Sequence, residues 1–392
     1  MTMFVSAALP PGLVDAVQRR LAAEHLSPEP TILADAVRAE SVGVIDDARM
    51  VDLIRGLEQE LTGCGPLTVL LADPATTDVV VNAPDDVRVD RGCGWETTGI
   101  RFADDAAVQR LARRLATLVG ARLDDAHPYV DGRLPDGTRL HAVLPPVASS
   151  GSCLSLRVLR PARYDLGALD MAGLFPGLSG VALRAMIAAR LAFLVCGGTG
   201  SGKTTLLGAL LAEVSADERI VTVEDAEELR PVHPHVVRLV ARAANVEGIG
   251  AIGLAELVRQ ALRMRPDRLV VGEVRGAEVV DLLAALSTGH EGGAGTVHAN
   301  SAQDVPSRIT SLAQTAGMSQ EAAHAQLAGA VQVVVHLKRQ SGVRRVADIA
   351  VLEPTREGGV RAVSAVINGQ LTPDGAPKLA DMLRVRGARV PW

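Results

Sequence analysis

The chain has 392 residues, 48% of them hydrophobic but only 2% aromatic, and a formal net charge of −5. That supplies enough apolar material for two or three aliphatic cores, while a mildly acidic, aromatic-poor composition argues against a basic or base-stacking surface for nucleic acid. Four cysteines (Cys64, Cys93, Cys153, Cys196) form no C-x-x-C pair, and the longest apolar candidate, Val181 to Val195, is broken by Arg184 and Arg190; a reducing compartment and no membrane-spanning helix are expected.

The start, Met1 to Pro11, has no basic region followed by a long apolar stretch, so no secretory signal is expected. Residues 1–60 are alanine-rich and read as a helical extension, with amphipathic stretches at Val14–Ala23 and Met50–Leu61 and an interruption at Pro28 and Pro30. Residues 61–160 change character to a small α/β domain. Thr77–Asn82 and Val87–Asp90 read as strands around the turn Ala83–Asp86, Ala106–Val119 as a helix, and Ala142–Leu144 and Leu154–Arg160 as further strands. Asp131-Gly132 and Asp136-Gly137 read as two turns, each closely followed by an arginine, Arg133 and Arg139. Together with Arg157 these are three arginines on neighbouring elements, which from residue pattern alone is ordinary surface charge. Residues 161–178, with their prolines and glycines, read as a linker. Residues 179–355 alternate strands and helices in the manner of a mostly parallel sheet, ending in a hairpin of Val331–Leu337 with Val343–Val351. Residues 356–392 read as a polar, weakly ordered tail.

The chemistry concentrates in 179–355. Gly197-Gly198-Thr199-Gly200-Ser201-Gly202-Lys203-Thr204 fits G-x-x-x-x-G-K-[ST], followed by Thr205. Glycines let consecutive backbone N–H groups curl around an oxyanion, and the following helix adds positive dipole charge. Lys203 reaches the outer phosphates and the Thr204 hydroxyl can ligate Mg²⁺. The flanks agree: Leu191–Cys196 is an apolar run fit for a buried parallel strand, and Leu206–Val214 reads as a helix. Three further strands end on chemistry-capable residues: Glu218–Asp225 leads into an acidic turn with Glu224, Asp225, Glu227 and Glu228, Arg268–Glu273 ends on Glu273, and Gly295–His298 ends on His298. Phosphoryl transfer to water needs a held Mg²⁺, a positioned water and cationic stabilisation, and open parallel sheets place ligands at such strand ends. Taken alone, the acidic turn is equally a solvated loop, and a lone histidine such as His298 is more often structural. His233 and His235 lack the spacing of a metal site.

The chain resembles the secretion or pilus traffic ATPases of the type II/IV secretion superfamily. Arg263 to Gly276 is similar to that family's atypical Walker B segment, Thr288 to Gly292 with Thr296 to Asn300 to its histidine box, and Val223 to Leu229 to its aspartate box. Gly65-Pro66-Leu67, Leu71 to Pro74 and Asp131 to Arg139 extend the resemblance to about residues 60–355 and point to the tight-adherence (Flp-type) pilus branch, TadA/CpaF-like. The resemblance implies a RecA-like P-loop NTPase C-terminal domain joined to a smaller α/β N-terminal domain. It further implies a homohexameric ring, cytoplasmic and peripheral at the inner face of the cytoplasmic membrane, that hydrolyses ATP with Mg²⁺ and acts on a polytopic inner-membrane platform protein and, through it, on pilin or a secreted protein.

Carried onto this chain, the resemblance implies phosphate and Mg²⁺ contacts for Lys203 and Thr204 and a role at the Mg²⁺ and water side for Glu273. It implies a water-activating acid at Glu228, or alternatively Glu224, and γ-phosphate sensing or subunit linkage by His298. Arg133, Arg139 and Arg157 would reach the γ-phosphate as the domains close. Ala226 departs from the threonine common in the aspartate box, and the tetracysteine zinc motif of many relatives is absent, so no zinc is expected. Two other readings stand: a DNA-translocating RecA-like motor of a conjugation system, which the net charge and scarce aromatics disfavour, and a nucleotide-gated scaffold with negligible turnover.

Overall fold

The computed structural model describes all residues except 1–8, 11, 25, 27, 42–44, 62, 159–164, 243, 245–248, 288, 290 and 341. Several expectations lie outside the described residues: much of the Met1–Pro11 start, the last two positions of the strand expected to reach Arg160, the first of the expected linker, and Thr288 and His290 of the histidine-box segment. The chain divides into two compact units, 1–160 and 161–392.

The first unit opens with α1 (Leu13–Glu24), α2 (Pro30–Glu40) and α3 (Asp47–Leu61). Leu13, Val17 and Leu21 recur at helical spacing and close with Leu33, Val37, Leu53 and Leu57 into one apolar cluster. The expected interruption is there: α1 ends at Glu24 and α2 opens on Pro30. Pro30 occupies the first turn of α2, where a missing N–H costs nothing. After a short α4 (Thr68–Ala72) come β1 (Asp78–Ala83), β2 (Asp86–Asp90), β3 (Trp95–Thr97), α5 (Asp105–Leu118), β4 (Tyr129–Arg133), β5 (Arg139–Val143) and β6 (Cys153–Arg157). The strands form an antiparallel sheet in the order β3-β2-β1-β6-β5-β4. Alternate residues such as Val79, Val81, Leu140, Ala142, Leu154 and Leu156 point inward onto Val108, Leu111 and Leu115 of α5. Helix α5 starts where the Asp104 carboxylate accepts the Ala107 N–H. One expected turn is corrected: Asp131-Gly132 lies within β4, paired antiparallel with β5, and glycine at 132 makes room for Val119, whose Cγ2 would lie 2.7 Å from a Cβ there.

The second unit contains α6 (Leu166–Met171), α7 (Ser179–Ala188), β7 (Phe193–Gly197), α8 (Lys203–Ala212), β8 (Ile220–Glu224), β9 (Val236–Val240), α9 (Leu254–Leu262), β10 (Arg268–Val274), α10 (Glu278–Ser287), β11 (Ala294–Val297), α11 (Val305–Thr315), α12 (Gln320–Ala330), β12 (Val333–Gln340), β13 (Val343–Pro354), β14 (Val360–Ile367), β15 (Gln370–Leu371) and α13 (Ala376–Val385). Its sheet runs β15-β14-β13-β12-β7-β11-β10-β8-β9. From β12 to β9 the pairs are parallel, and β13 to β15 are added antiparallel. The strand before the phosphate loop therefore sits mid-sheet, the arrangement expected of a RecA-like domain. Helices cover both faces, so β7 and β8 are buried at every residue and read as continuous apolar runs.

Two expectations fail here. The stretch expected to be a linker contains α6, whose Leu166 and Leu169 are buried in the core. The stretch expected to be a weakly ordered tail supplies β14, β15 and α13, with Ala365, Leu379 and Leu383 fully buried in that same core. The end of the chain therefore completes one face of the sheet. Among the described residues no helix is long and apolar enough to cross a membrane.

Candidate active site

Parallel register fixes where the chemistry collects. Cys196 pairs with Val297, Val297 with Val274, and Val271 with Val223, so β7, β11, β10 and β8 end along a common edge. From that edge emerge the phosphate loop, His298, Glu273 and the acidic turn after Glu224.

Lys203, the first residue of α8, is 8% exposed and donates from Nζ to the carbonyls of Gly197 and Gly198, each at 3.1 Å. Its Nζ is also 3.5 Å from the His298 ring nitrogens. Burial pulls the Lys203 pKa below its ordinary value, with the Glu273 carboxylate opposing. His298 Nε2 stands 2.5 Å from Glu273 Oε1, and Glu273 also pairs with Arg275. Burial, followed by the Lys203 charge, lowers the His298 pKa and favours its neutral form near pH 7.

The two candidate acids of the aspartate box have different environments. Glu228 reaches the phosphate loop, accepting the Thr204 hydroxyl at 3.3 Å. Glu224 is 3% exposed, and its Oε1 accepts the backbone N–H groups of Glu228 and Leu229 at 3.1 and 2.9 Å. Its side chain fills the space left by Gly272, where a Cβ would fall 2.6 Å from its Cγ. Burial pushes the Glu224 carboxyl up to about 7. Glu224 thus braces the turn that presents Glu228.

The residues fit a nucleotide with Mg²⁺. Ser201 Oγ is buried within the loop with no hydrogen-bond partner among the described residues, and the groups around Thr204 are oxygen donors of the kind Mg²⁺ selects. A cavity of about 470 Å³ opens beside the loop, lined by Gly197, Gly198, His298, Asn300, Asp304 and Arg308 among others.

Arg133, Arg139 and Arg157 belong to the first unit, and the sheet aligns them. Arg133 pairs with Arg139, and Arg139 with Arg157, so the three sit side by side on one face of β4, β5 and β6. Asp131 binds Arg139 in a two-pronged contact at 3.1 and 2.7 Å, which holds its carboxyl below the ordinary carboxylate range. Sequence reasoning missed one residue of the loop's surroundings. Arg344 of β13 donates from Nε to the Gly200 carbonyl at 3.0 Å, and nothing local in the sequence signals a contact spanning that distance along the chain.

The model of the type II/IV secretion system protein family matches residues 60–370. "Putative conjugal transfer protein Rv3659c" of Mycobacterium tuberculosis (strain ATCC 25618 / H37Rv) is 57% identical over 352 residues, covering 88% of this chain and 100% of that relative. The conjugal transfer protein TrbB of Rhizobium radiobacter is 31% identical over 308 residues, covering 78% of this chain and 91% of that relative. Among solved structures, the VirB11 ATPase of the Brucella suis type IV secretion system, in complex with sulphate, shares 28% identity over 73% of this chain and 95% of that one, with a TM-score of 0.39.

Proposed function

Because the chain belongs to the type II/IV secretion system protein family, an ATPase family, we propose that it is a cytoplasmic motor. In this reading a homohexameric ring at the inner face of the cytoplasmic membrane drives a polytopic platform protein to extrude pilin or a secreted protein, as in the tight-adherence branch. The observation that carries this reading is the convergence of Lys203, Thr204, Glu228, Glu273 and His298 on one sheet edge around a phosphate loop.

The roles follow from position. Lys203 exchanges its loop carbonyls for phosphate oxygens, and backbone N–H groups from Gly198 to Thr205 cradle the rest. Thr204 and Glu273 would hold Mg²⁺, which would supply charge neutralisation for the phosphates. Glu228 orients the attacking water. Its carboxylate faces Thr204 while that of Glu224 is tied to backbone, which supports Glu228 over the alternative. His298, between Lys203 and Glu273, registers whether the γ-phosphate is present. The arginine row of the first unit supplies cationic charge to that phosphate when the domains close, and hydrolysis releases it, so that chemistry becomes domain displacement.

A second reading, a DNA-translocating motor of a conjugation system, is favoured by one observation: the relatives above carry conjugal transfer names. The net charge of −5 weighs against a DNA channel. ATP turnover by size-separated oligomers of the wild type, Lys203→Ala and Glu273→Gln, with and without DNA, tests both. Turnover confined to a ring-sized species, lost in both variants and indifferent to DNA, supports the secretion motor. Strong stimulation by DNA transfers the assignment to the translocase, and turnover by monomers removes the ring.

A further inference from the structure

Strands β12 and β13 continue past the point where their neighbour stops. β12 pairs with β7 only as far as Leu337 opposite Gly197, the first residue of the phosphate loop. Lys338, Arg339 and Gln340 then run on, paired with Arg345, Arg344 and Val343. The overhang stands beside the edge where the phosphates of a nucleotide are held, and it carries four cationic side chains, Lys338, Arg339, Arg344 and Arg345. The register sets Arg339 opposite Arg344 on one face and Lys338 opposite Arg345 on the other. Like charges placed directly opposite each other in an antiparallel pair repel one another.

The face that looks at the loop is identifiable. Arg344 and Val346 share a face by strand alternation, and Val346 belongs to the same core as Leu206 and Leu207 of α8. Arg344 bears this out: its Nε donates to Gly200 O at 3.0 Å, and its Cδ lies 3.4 Å from where a Cβ on Gly202 would stand. A guanidinium thus lies along the loop just ahead of the α8 N-terminus, where the helix dipole already favours negative charge. Lys338 and Arg345 share the opposite face.

From this geometry, and resting on the nucleotide-binding reading of the same site, we infer that Arg344 is a positioning residue for a nucleoside polyphosphate. It fixes the phosphate-loop apex through the Gly200 carbonyl and adds fixed positive charge to the field that the di- or triphosphate enters. Arg345 carries the same charge on the same hairpin but faces away, so it serves as the internal control.

The test is Mg·ADP affinity by calorimetry for the wild type, Arg344→Ala, Arg344→Lys and Arg345→Ala, with AMP as a second ligand and ATP turnover alongside. Loss of one charge-assisted contact corresponds to about tenfold in affinity. The expected result is ADP binding about tenfold weaker in Arg344→Ala, partly restored in Arg344→Lys, and within about twofold of wild type in Arg345→Ala. AMP binding changes less than ADP binding, and the KM for ATP rises while kcat at saturation holds. Wild-type ADP affinity in Arg344→Ala, or an equal loss in Arg345→Ala, overturns the assignment while leaving the nucleotide site standing. If Arg344→Ala fails to fold, wild-type affinity in the isocharged Arg344→Lys combined with a full loss in Arg345→Ala overturns it as well. No ADP binding by the wild type removes the nucleotide reading itself, and this inference with it.

Discussion

The two sheets present their polar chemistry in opposite ways. Central strands of the nine-stranded sheet, β7 and β8, are buried at every residue, so functional side chains there gather near the edge where the parallel strands end. The six-stranded sheet packs one face on α5, and alternate residues on its other face, such as Arg88, Arg139 and Arg157, are exposed. Lys203, Thr204, Glu273 and His298 therefore converge on a point, Glu273 within the last two residues of β10 and the others beyond the ends of β7 and β11. Arg133, Arg139 and Arg157 instead form a row, stepping across three strands at about 5 Å per strand. The edge suits the binding and polarising of a small anion. The row suits delivery of charge to something that approaches the face. In the proposed motor the first is a nucleotide site and the second a set of arginines brought to it.

The comparison breaks if the two sets of residues fail in the same way, and the largest effects test this first. Lys203→Ala removes the cation at the loop, and the expected outcome is loss of ADP binding together with loss of turnover by at least about a thousandfold. Replacing Arg139 and Arg157 together by alanine should leave ADP affinity within about twofold while lowering kcat by a hundredfold or more, on the order of what a charge delivered to the transferring phosphate contributes. Isothermal titration against ADP, run beside single-turnover hydrolysis, separates the two. If the double arginine variant loses ADP affinity as Lys203→Ala does, the row binds ground-state nucleotide and the division between edge and face is wrong.

The same contrast explains what could be read in the sequence. The phosphate loop, the β10 stretch reaching Glu273 and the β11 stretch leading to His298 were legible because an edge site is written in short contiguous stretches, each an apolar run followed by a polar residue. The arginine row was visible only as three scattered residues, because register is a property of pairing and not of any one strand. Asp131-Gly132 read as a turn for a related reason: the contact with Val119 that demands glycine lies outside its own segment. Helix α13 did carry a signal, Ala376, Leu379, Ala380 and Leu383 at helical spacing, but the surrounding glycines, prolines and charges masked it. Strand β9 was likewise hidden, by the prolines and histidines before Val236. Arg344 left no signal at all, since its loop contact depends on β12 overrunning β7.

A medium-sized effect concerns carboxylates of the two sheets, which titrate in opposite directions. Arg139 holds the Asp131 carboxyl down, so its contribution to stability is present above its unfolded pKa and is lost only on acidification. Burial raises Glu224 from 4.5 to about 7, so the folded chain prefers its protonated form. That contribution is complete below about pH 4.5 and is lost as pH rises through about 7, where the native state must carry a desolvated charge. Glu224→Gln imitates the protonated acid and can still accept the Glu228 and Leu229 N–H groups. The variant should match wild type near pH 4 and exceed it at pH 8.5 by up to about 3 kcal/mol, the raised pKa converted at 1.36 kcal/mol per unit. Denaturant unfolding across that range checks the sign, and a pH-independent difference would contradict it.

The smallest effect tests whether the units answer separately. A Cβ on Gly132 would sit 2.7 Å from Val119 Cγ2 and 2.8 Å from its Cβ, closer than packed atoms tolerate. Gly132→Ala should therefore strain the junction of α5 with β4 and destabilise the first unit by about 1–3 kcal/mol. Because Gly132 and the nucleotide edge belong to different compact units, ADP affinity should stay within about twofold of wild type if the units answer separately. Val119→Ala opens the crowded space, so adding it to Gly132→Ala should recover part of the loss, whereas Val119→Ala alone costs a cavity. The cycle of four proteins, read by thermal unfolding and by ADP titration, gives a coupling energy for one contact in the arginine-bearing unit. A drop in ADP affinity that follows the drop in stability would mean the nucleotide edge depends on the integrity of the antiparallel sheet, and the two sites would then have to be treated as one cooperative structure from the start.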